Sequence, residues 1–129
     1  GDCCSFVFRG QRIRLESVQN ANDQAAAAAH TVVGKDQPYA ALPWFWSDQY
    51  DTKLQIAGLN LGYDDALPRP GKTERNLSVW YYRGEQLLAV DAISDAAAFV
   101  TAKRLLERGA SVPKAAVLDP AAQFKDWLA

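Results

Sequence analysis

Polar and apolar residues alternate through Lys53-Leu54-Gln55-Ile56-Ala57-Gly58, the period of a half-buried strand. The alternation returns from Asn76 to Tyr82 and puts Leu77, Val79 and Tyr81 on one face. Arg83-Gly84-Glu85 then reads as a turn, and Gln86 to Ile93 as the second strand of a hairpin. Elsewhere the period is helical. Ser17 to Val33 predicts a helix capped by Ser17 or Asn20, with Asp23 placed as in a capping box. Its middle is the alanine run Ala25 to Ala29, and Gly34 supplies the stop. A second helix is predicted from its cap Ser94 to about Arg108, with Ala98, Phe99, Ala102, Leu105 and Leu106 at helical spacing. Asp119-Pro120 predicts the start of a short last helix carrying Phe124, Trp127 and Leu128.

The intervening segments are irregular. Leu59 to Arg75, with Gly62, Pro68, Pro70 and Gly71, reads as loop. Residues 1–16 start apolar, bend at Gly10-Gln11 and turn basic at Arg9, Arg12 and Arg14. Asp36, Gln37 and Pro38 break any helix, which sets a domain boundary after residue 34. Residues 35–129 are predicted as an α+β unit, an antiparallel sheet with helices packed on one side. Residues 1–34 do not belong to that pattern.

Composition narrows the function. Of 129 residues, 14 are basic and 15 acidic, for a net charge of -1, which excludes a generally basic nucleic-acid binder. No run approaches the roughly 20 apolar residues of a membrane span. Cys3 and Cys4 are the two cysteines. Adjacent cysteines rarely reach disulfide geometry, and two ligands do not make a zinc site. They are expected as buried or partly buried free thiols in a cytoplasmic protein. Methionine is absent and the chain opens on Gly1, which points to a piece of a longer or processed polypeptide.

No motif here runs a reaction alone. There is no glycine-rich dinucleotide loop, no phosphate loop and no nucleophile elbow. No catalytic residue and no metal ligand is assigned. His30 lies among alanines in the first helix and reads as a surface or packing residue. The informative feature is Trp44-Phe45-Trp46 after Pro43. In an extended segment Trp44 and Trp46 share one face, and such a pair serves core packing or offers indoles to a planar ligand.

Pro43-Trp44-Phe45-Trp46-Ser47-Asp48-Gln49-Tyr50, followed by Leu54-Gln55-Ile56-Ala57-Gly58, resembles the start of the C-terminal domain of bacterial ferredoxin reductases. These are flavoproteins of the putidaredoxin-reductase and biphenyl-dioxygenase-reductase type. Gly1-Asp2 resembles the end of that family's second FAD motif. Arg14-Leu15-Glu16-Ser17-Val18-Gln19-Asn20-Ala21 resembles its segment before a long helix, and Leu88-Ala89-Val90-Asp91 its hairpin.

The resemblance implies that residues 1–34 are the C-terminal piece of an FAD-binding domain and 35–129 the reductase's interface domain. The full-length enzyme would pass electrons from NAD(P)H through FAD to a 2Fe-2S ferredoxin. By the same resemblance Asp2 meets the ribityl chain of FAD, Ser17 and Val18 face the pyrimidine end of the flavin, and Trp46 borders the ring. Trp44, Lys103, Arg12 and Arg14 become candidate contacts to an acidic ferredoxin. The remainder of the polypeptide is a further partner, and a homodimer is compatible with it. This piece alone, without the glycine-rich loops, is expected to hold little FAD and to be non-catalytic. The rival expectations are a stand-alone interaction or dimerisation module, a fragment of an apoptosis-inducing-factor-like flavoprotein, and an aromatic ligand-binding domain.

Overall fold

A computed structural model describes residues 1–128 and divides the chain into two compact units, 1–45 and 46–129. The first begins with a hairpin, β1 (Ser5–Phe8) and β2 (Gln11–Arg14), paired from Ser5↔Arg14 to Phe8↔Gln11. Arg9 and Gly10 take positive φ at its tip. Helix α1 (Val18–Val32) follows. Of the two caps considered, Ser17 is the one used, accepting from the Asn20 N–H at 3.1 Å.

Two buried polar residues organise this unit. Asn20 donates to the Leu15 carbonyl at 3.0 Å and accepts from the Tyr39 hydroxyl at 3.2 Å. Gln19 accepts from the Trp44 N–H at 3.3 Å. The Tyr39 ring also meets Phe6 edge-on at 5.2 Å. These contacts fold the segment after Gly34 back onto α1. The compact boundary therefore falls at Phe45 and not at residue 34, where helix-breaking residues alone placed it. Cys3 and Cys4 are exposed free thiols, against the expectation of burial. They sit in the exposed turn closed by the Cys4 N–H on the Gly1 carbonyl.

The second unit is built on an antiparallel five-stranded sheet of order β3-β4-β7-β6-β5. The strands are β3 (Trp44–Gln49, entering from the first unit), β4 (Thr52–Gly58), β5 (Asp65–Pro70), β6 (Leu77–Arg83) and β7 (Gln86–Ile93). Helix α2 (Ala96–Glu107) packs on β7 and β4, α3 (Lys114–Leu118) on β5, and a 3-10 turn at Phe124–Trp127 against α2. The α+β architecture is the predicted one.

Three local expectations change. Strand β5 lies inside the predicted loop, and its Pro68 and Pro70 are tolerated because it is an edge strand. Asp95, not Ser94, caps α2, accepting from the Ala98 N–H at 3.1 Å. Ser94 instead holds the sheet end, donating its N–H to the Lys53 carbonyl at 2.7 Å with φ at 50°. Asp119-Pro120 starts no helix. The helix ends before it at Leu118, and Asp119 closes a turn onto the Ala121 N–H at 2.9 Å.

The core lies between the sheet and its helices. Ala57, Trp80, Val90 and Ala92 have no exposed surface; α2, with Ala98, Ala102, Leu105 and Leu106 buried, packs on β4 and β7, and Phe124 and Trp127 pack on Trp80. At 20–33 cal/mol per Å² of apolar surface, such burial is the main stabilising contribution.

Candidate functional site

The sequence-derived candidates fall in both units, and each is described in its own. In the first, Asp2 is exposed, and its backbone carbonyl accepts from Arg14 Nη1 at 3.0 Å. Arg14 also forms an ion pair with Glu16. Arg12 reaches Ser5 Oγ at 3.5 Å. Hairpin register puts Arg12 and Arg14 on one face with Val7, which is 59% exposed. Ser17 and Val18 form the open start of α1. Val18 is exposed and the first turn holds no acidic side chain, so beyond the Ser17 cap no carboxylate within that turn offsets the positive end of the helix dipole.

The aromatic cluster forms β3 as a strand should. Trp44 and Trp46 are half-buried, while Phe45, on the other face, is 38% exposed. Lys103, on α2, is tied to Glu107 at 2.7 Å. Its charge is thus largely compensated by a neighbour on the same helix.

Two polar arrangements in the second unit escaped the reading of the sequence. Arg69, on β5, donates to the carbonyls of Val117 at 2.6 Å, Asp119 at 2.7 Å and Ala122 at 2.7 Å. Its guanidinium lies 5.3 Å from the ring centres of both Phe124 and Trp127. Those rings pack on the fully buried Trp80. One cation thereby latches the last segment of the chain onto the sheet. Beside it, a groove of about 550 Å³ runs between Lys72, Asn76, Asp95, Gln123, Phe124 and Lys125.

The second arrangement is on the sheet. Tyr81 donates to Asp91 Oδ2 at 2.8 Å, and Tyr63 meets the Tyr81 ring edge-on at 5.1 Å. Burial, reinforced by the Asp91 carboxylate, pushes the Tyr81 hydroxyl up to about 12. Burial likewise raises Asp91 above the ordinary carboxylate range. An acid within the apolar run Leu87 to Ile93 was the available signal. Among the described residues no group of histidine, cysteine and acidic side chains is placed to hold a metal. No described helix is long and apolar enough to cross a membrane.

A family model described as "Reductase C-terminal" matches residues 44–128. The whole chain is 38% identical to the 5,5'-dehydrodivanillate O-demethylase ferredoxin reductase subunit of a Sphingobium species, covering 32% of that protein. It is 40% identical, over 99% of its length, to a ferredoxin–NAD(P)+ reductase of a Sphingomonas species, again covering 32%. Among solved structures, the covalent putidaredoxin reductase–putidaredoxin complex superimposes with a TM-score of 0.90 at 34% identity, over 99% of this chain and 31% of that one. The chain thus spans about a third of the length of the curated relatives it matches.

Proposed function

Because this chain belongs to the reductase C-terminal family, we propose that it is the C-terminal part of an NAD(P)H-dependent flavoprotein that passes electrons through FAD to a 2Fe-2S ferredoxin. The observation that carries the proposal is similarity along the whole chain, residues 1–45 included, to reductases of ferredoxins. A stand-alone module, an apoptosis-inducing-factor-like fragment and a separate aromatic ligand-binding domain have no comparable support.

Bound FAD would supply the chemistry that links a two-electron hydride donor, NAD(P)H, to a one-electron acceptor. The first unit fits such a group at its exposed, acid-free helix start. There the N–H groups at Ser17 and Val18 favour negative charge, as at the pyrimidine end of a reduced flavin. Asp2 offers an exposed carboxylate to accept a ribityl hydroxyl. By the family resemblance, the half-buried Trp46 would border the flavin ring, where an indole would limit the access of water. Trp44, Arg12, Arg14 and Lys103 are assigned to the ferredoxin side. Because Arg14 and Lys103 are paired with Glu16 and Glu107, Arg12 supplies the less compensated charge. The reading extends to a cytoplasmic enzyme, with a homodimer as a compatible assembly.

The test is the full-length polypeptide carrying this chain. It is expected to show a flavin absorption band and to reduce a 2Fe-2S ferredoxin with NADH or NADPH. A colourless full-length protein inactive with both nucleotides overturns the proposal. Trp46→Ala is expected to lower ferredoxin reduction or alter the flavin spectrum, and no change in either removes Trp46 from the site. The 129-residue chain alone, lacking a glycine-rich pyrophosphate loop, is expected to bind little FAD. Tight stoichiometric binding by it would show that the cofactor site has been misplaced.

A further inference from the structure

Gln19 lies in the first turn of α1 and is 6% exposed. A buried amide calls for partners at both of its ends. Its Nε2 donates to Asp23 Oδ2 at 2.5 Å, one turn along the helix, and reaches the Tyr39 hydroxyl at 3.4 Å. A carboxylate accepts and a backbone N–H donates, so Asp23 settles which way the amide faces. The amide oxygen is left for the Trp44 N–H, at 3.3 Å.

Residues 35–43 join α1 to β3 with no helix or strand of their own. Two neighbours in the first turn of α1 hold that segment by side-chain bonds. Asn20 takes the Tyr39 hydroxyl in its middle, and Gln19 takes the Trp44 N–H where it ends. Pro43, buried just before Trp44, has no N–H to share the second task. The Tyr39 anchor is reinforced by the Phe6 ring. The Gln19 bond acts directly on the backbone that carries the half-buried Trp44 indole. The Ser17 cap of α1 runs through the Asn20 N–H, so it does not depend on the Gln19 amide.

Resting on the reductase reading above, we propose that Gln19 is a positioning residue for ferredoxin docking. It fixes the Trp44 backbone and thereby sets where the indole meets the iron–sulfur partner. Being buried, Gln19 acts through Trp44 and not by its own contact with the partner. Binding energy concentrates in tryptophans held ready in partly buried seats, and loosening such a seat adds an ordering cost to association. The hydride half of the reaction does not use this bond.

The test is steady-state kinetics of the full-length polypeptide, with NADH or NADPH and two acceptors. One is a 2Fe-2S ferredoxin that the parent reduces. The other is ferricyanide, a small ion that takes electrons without a protein docking face. Gln19→Met keeps the length of the side chain and deletes both ends of the amide. It is expected to raise KM for the ferredoxin by about fivefold or more, the loss of a docking anchor. The kcat at saturating ferredoxin and the ferricyanide rate are expected to stay within about twofold of the parent. Loss of folded enzyme gives the opposite pattern, a fall in kcat with both acceptors at unchanged KM. That pattern, or an unchanged KM alone, overturns the proposal. Tyr39→Phe removes a hydroxyl from the same buried cluster and leaves the Trp44 bond in place. A rise in KM equal to that of Gln19→Met would therefore overturn it as well. If Gln19→Met does not fold, Gln19→Asn keeps a buried amide that falls one methylene short of Trp44. The same rise in KM is expected of it, and an unchanged KM again counts against the proposal. A parent with no flavin band and no ferredoxin reduction fails the reductase reading itself, whereas an active parent with an unmoved KM in the variants strikes the role of Gln19 alone.

Discussion

Removing the guanidinium of Arg69 should detach the end of the chain from the sheet. Arg69→Met keeps most of the stem and deletes every donor. Three short hydrogen bonds from a charged group are lost, to the carbonyls of Val117, Asp119 and Ala122. Such bonds contribute about 1.5–3 kcal/mol each. The residue is only half-buried, however, and freed carbonyls near the surface can take water, so the lower end applies. Two cation–π contacts at 5.3 Å add about 0.5–1 kcal/mol each. Contributions that share one group do not add fully, which leaves an expected loss of about 3–5 kcal/mol. Urea unfolding of the 129-residue chain, followed by far-ultraviolet circular dichroism, measures it. Tryptophan emission should shift to the red in parallel, because Phe124 and Trp127 no longer cover Trp80. Arg69→Lys, with its single ammonium head, should recover less than half of the loss. A change within about 0.5 kcal/mol for Arg69→Met, with unshifted emission, would refute the latch.

Two further outcomes follow from the second unit. Gly58 has φ at +80°, and an added Cβ would lie 2.3 Å from the Leu88 carbonyl oxygen. Gly58→Ala should therefore cost about 3 kcal/mol or more, read as a fall in Tm of about 10 °C or more. At high pH the sign follows from Tyr81, whose hydroxyl is raised from 10.0 to about 12. Its contribution to stability is complete below pH 10 and is lost as pH climbs towards 12, because the unfolded chain ionises first. Urea midpoints measured from pH 9 to 12 should fall, and more shallowly in Tyr81→Phe; an unchanged slope in that variant would reject the assignment.

The sheet was legible where alternation was clean. Lys53 to Gly58, Asn76 to Tyr82 and Gln86 to Ile93 formed the expected strands, because a half-buried antiparallel strand needs only that pattern. Strand β5 was hidden by Pro68 and Pro70, which signal loop unless the strand is known to be an edge. Ser94 was a reasonable cap by type, but tertiary bonds to Lys53 and Asn76 claimed it and left the role to Asp95. The end of the chain was misread for the same reason, since its conformation is set by Arg69, about fifty residues upstream. Of the candidate site, the strand character of Trp44 to Trp46 and the capped start of α1 could be read locally. The Tyr81–Asp91 pair could not, because it depends on a register fixed only when β6 and β7 meet.

The strand order has a consequence for how the sheet is made. β6 and β7 close on each other across a tight turn, whereas β4 must find β7 at pairs as distant in sequence as Leu54 and Ile93. Short loops close early and long ones late, at a cost in chain entropy that contacts offset only afterwards. On a ribosome, β3 and β4 emerge well before the strand that fills the middle of their sheet. During that interval Trp44, Phe45, Trp46, Leu54 and Ile56 are apolar strand residues without a completed layer, which is when such chains are most prone to aggregate. Synthesis of β7 ends the interval by supplying a centre with β4 on one side and β6 on the other.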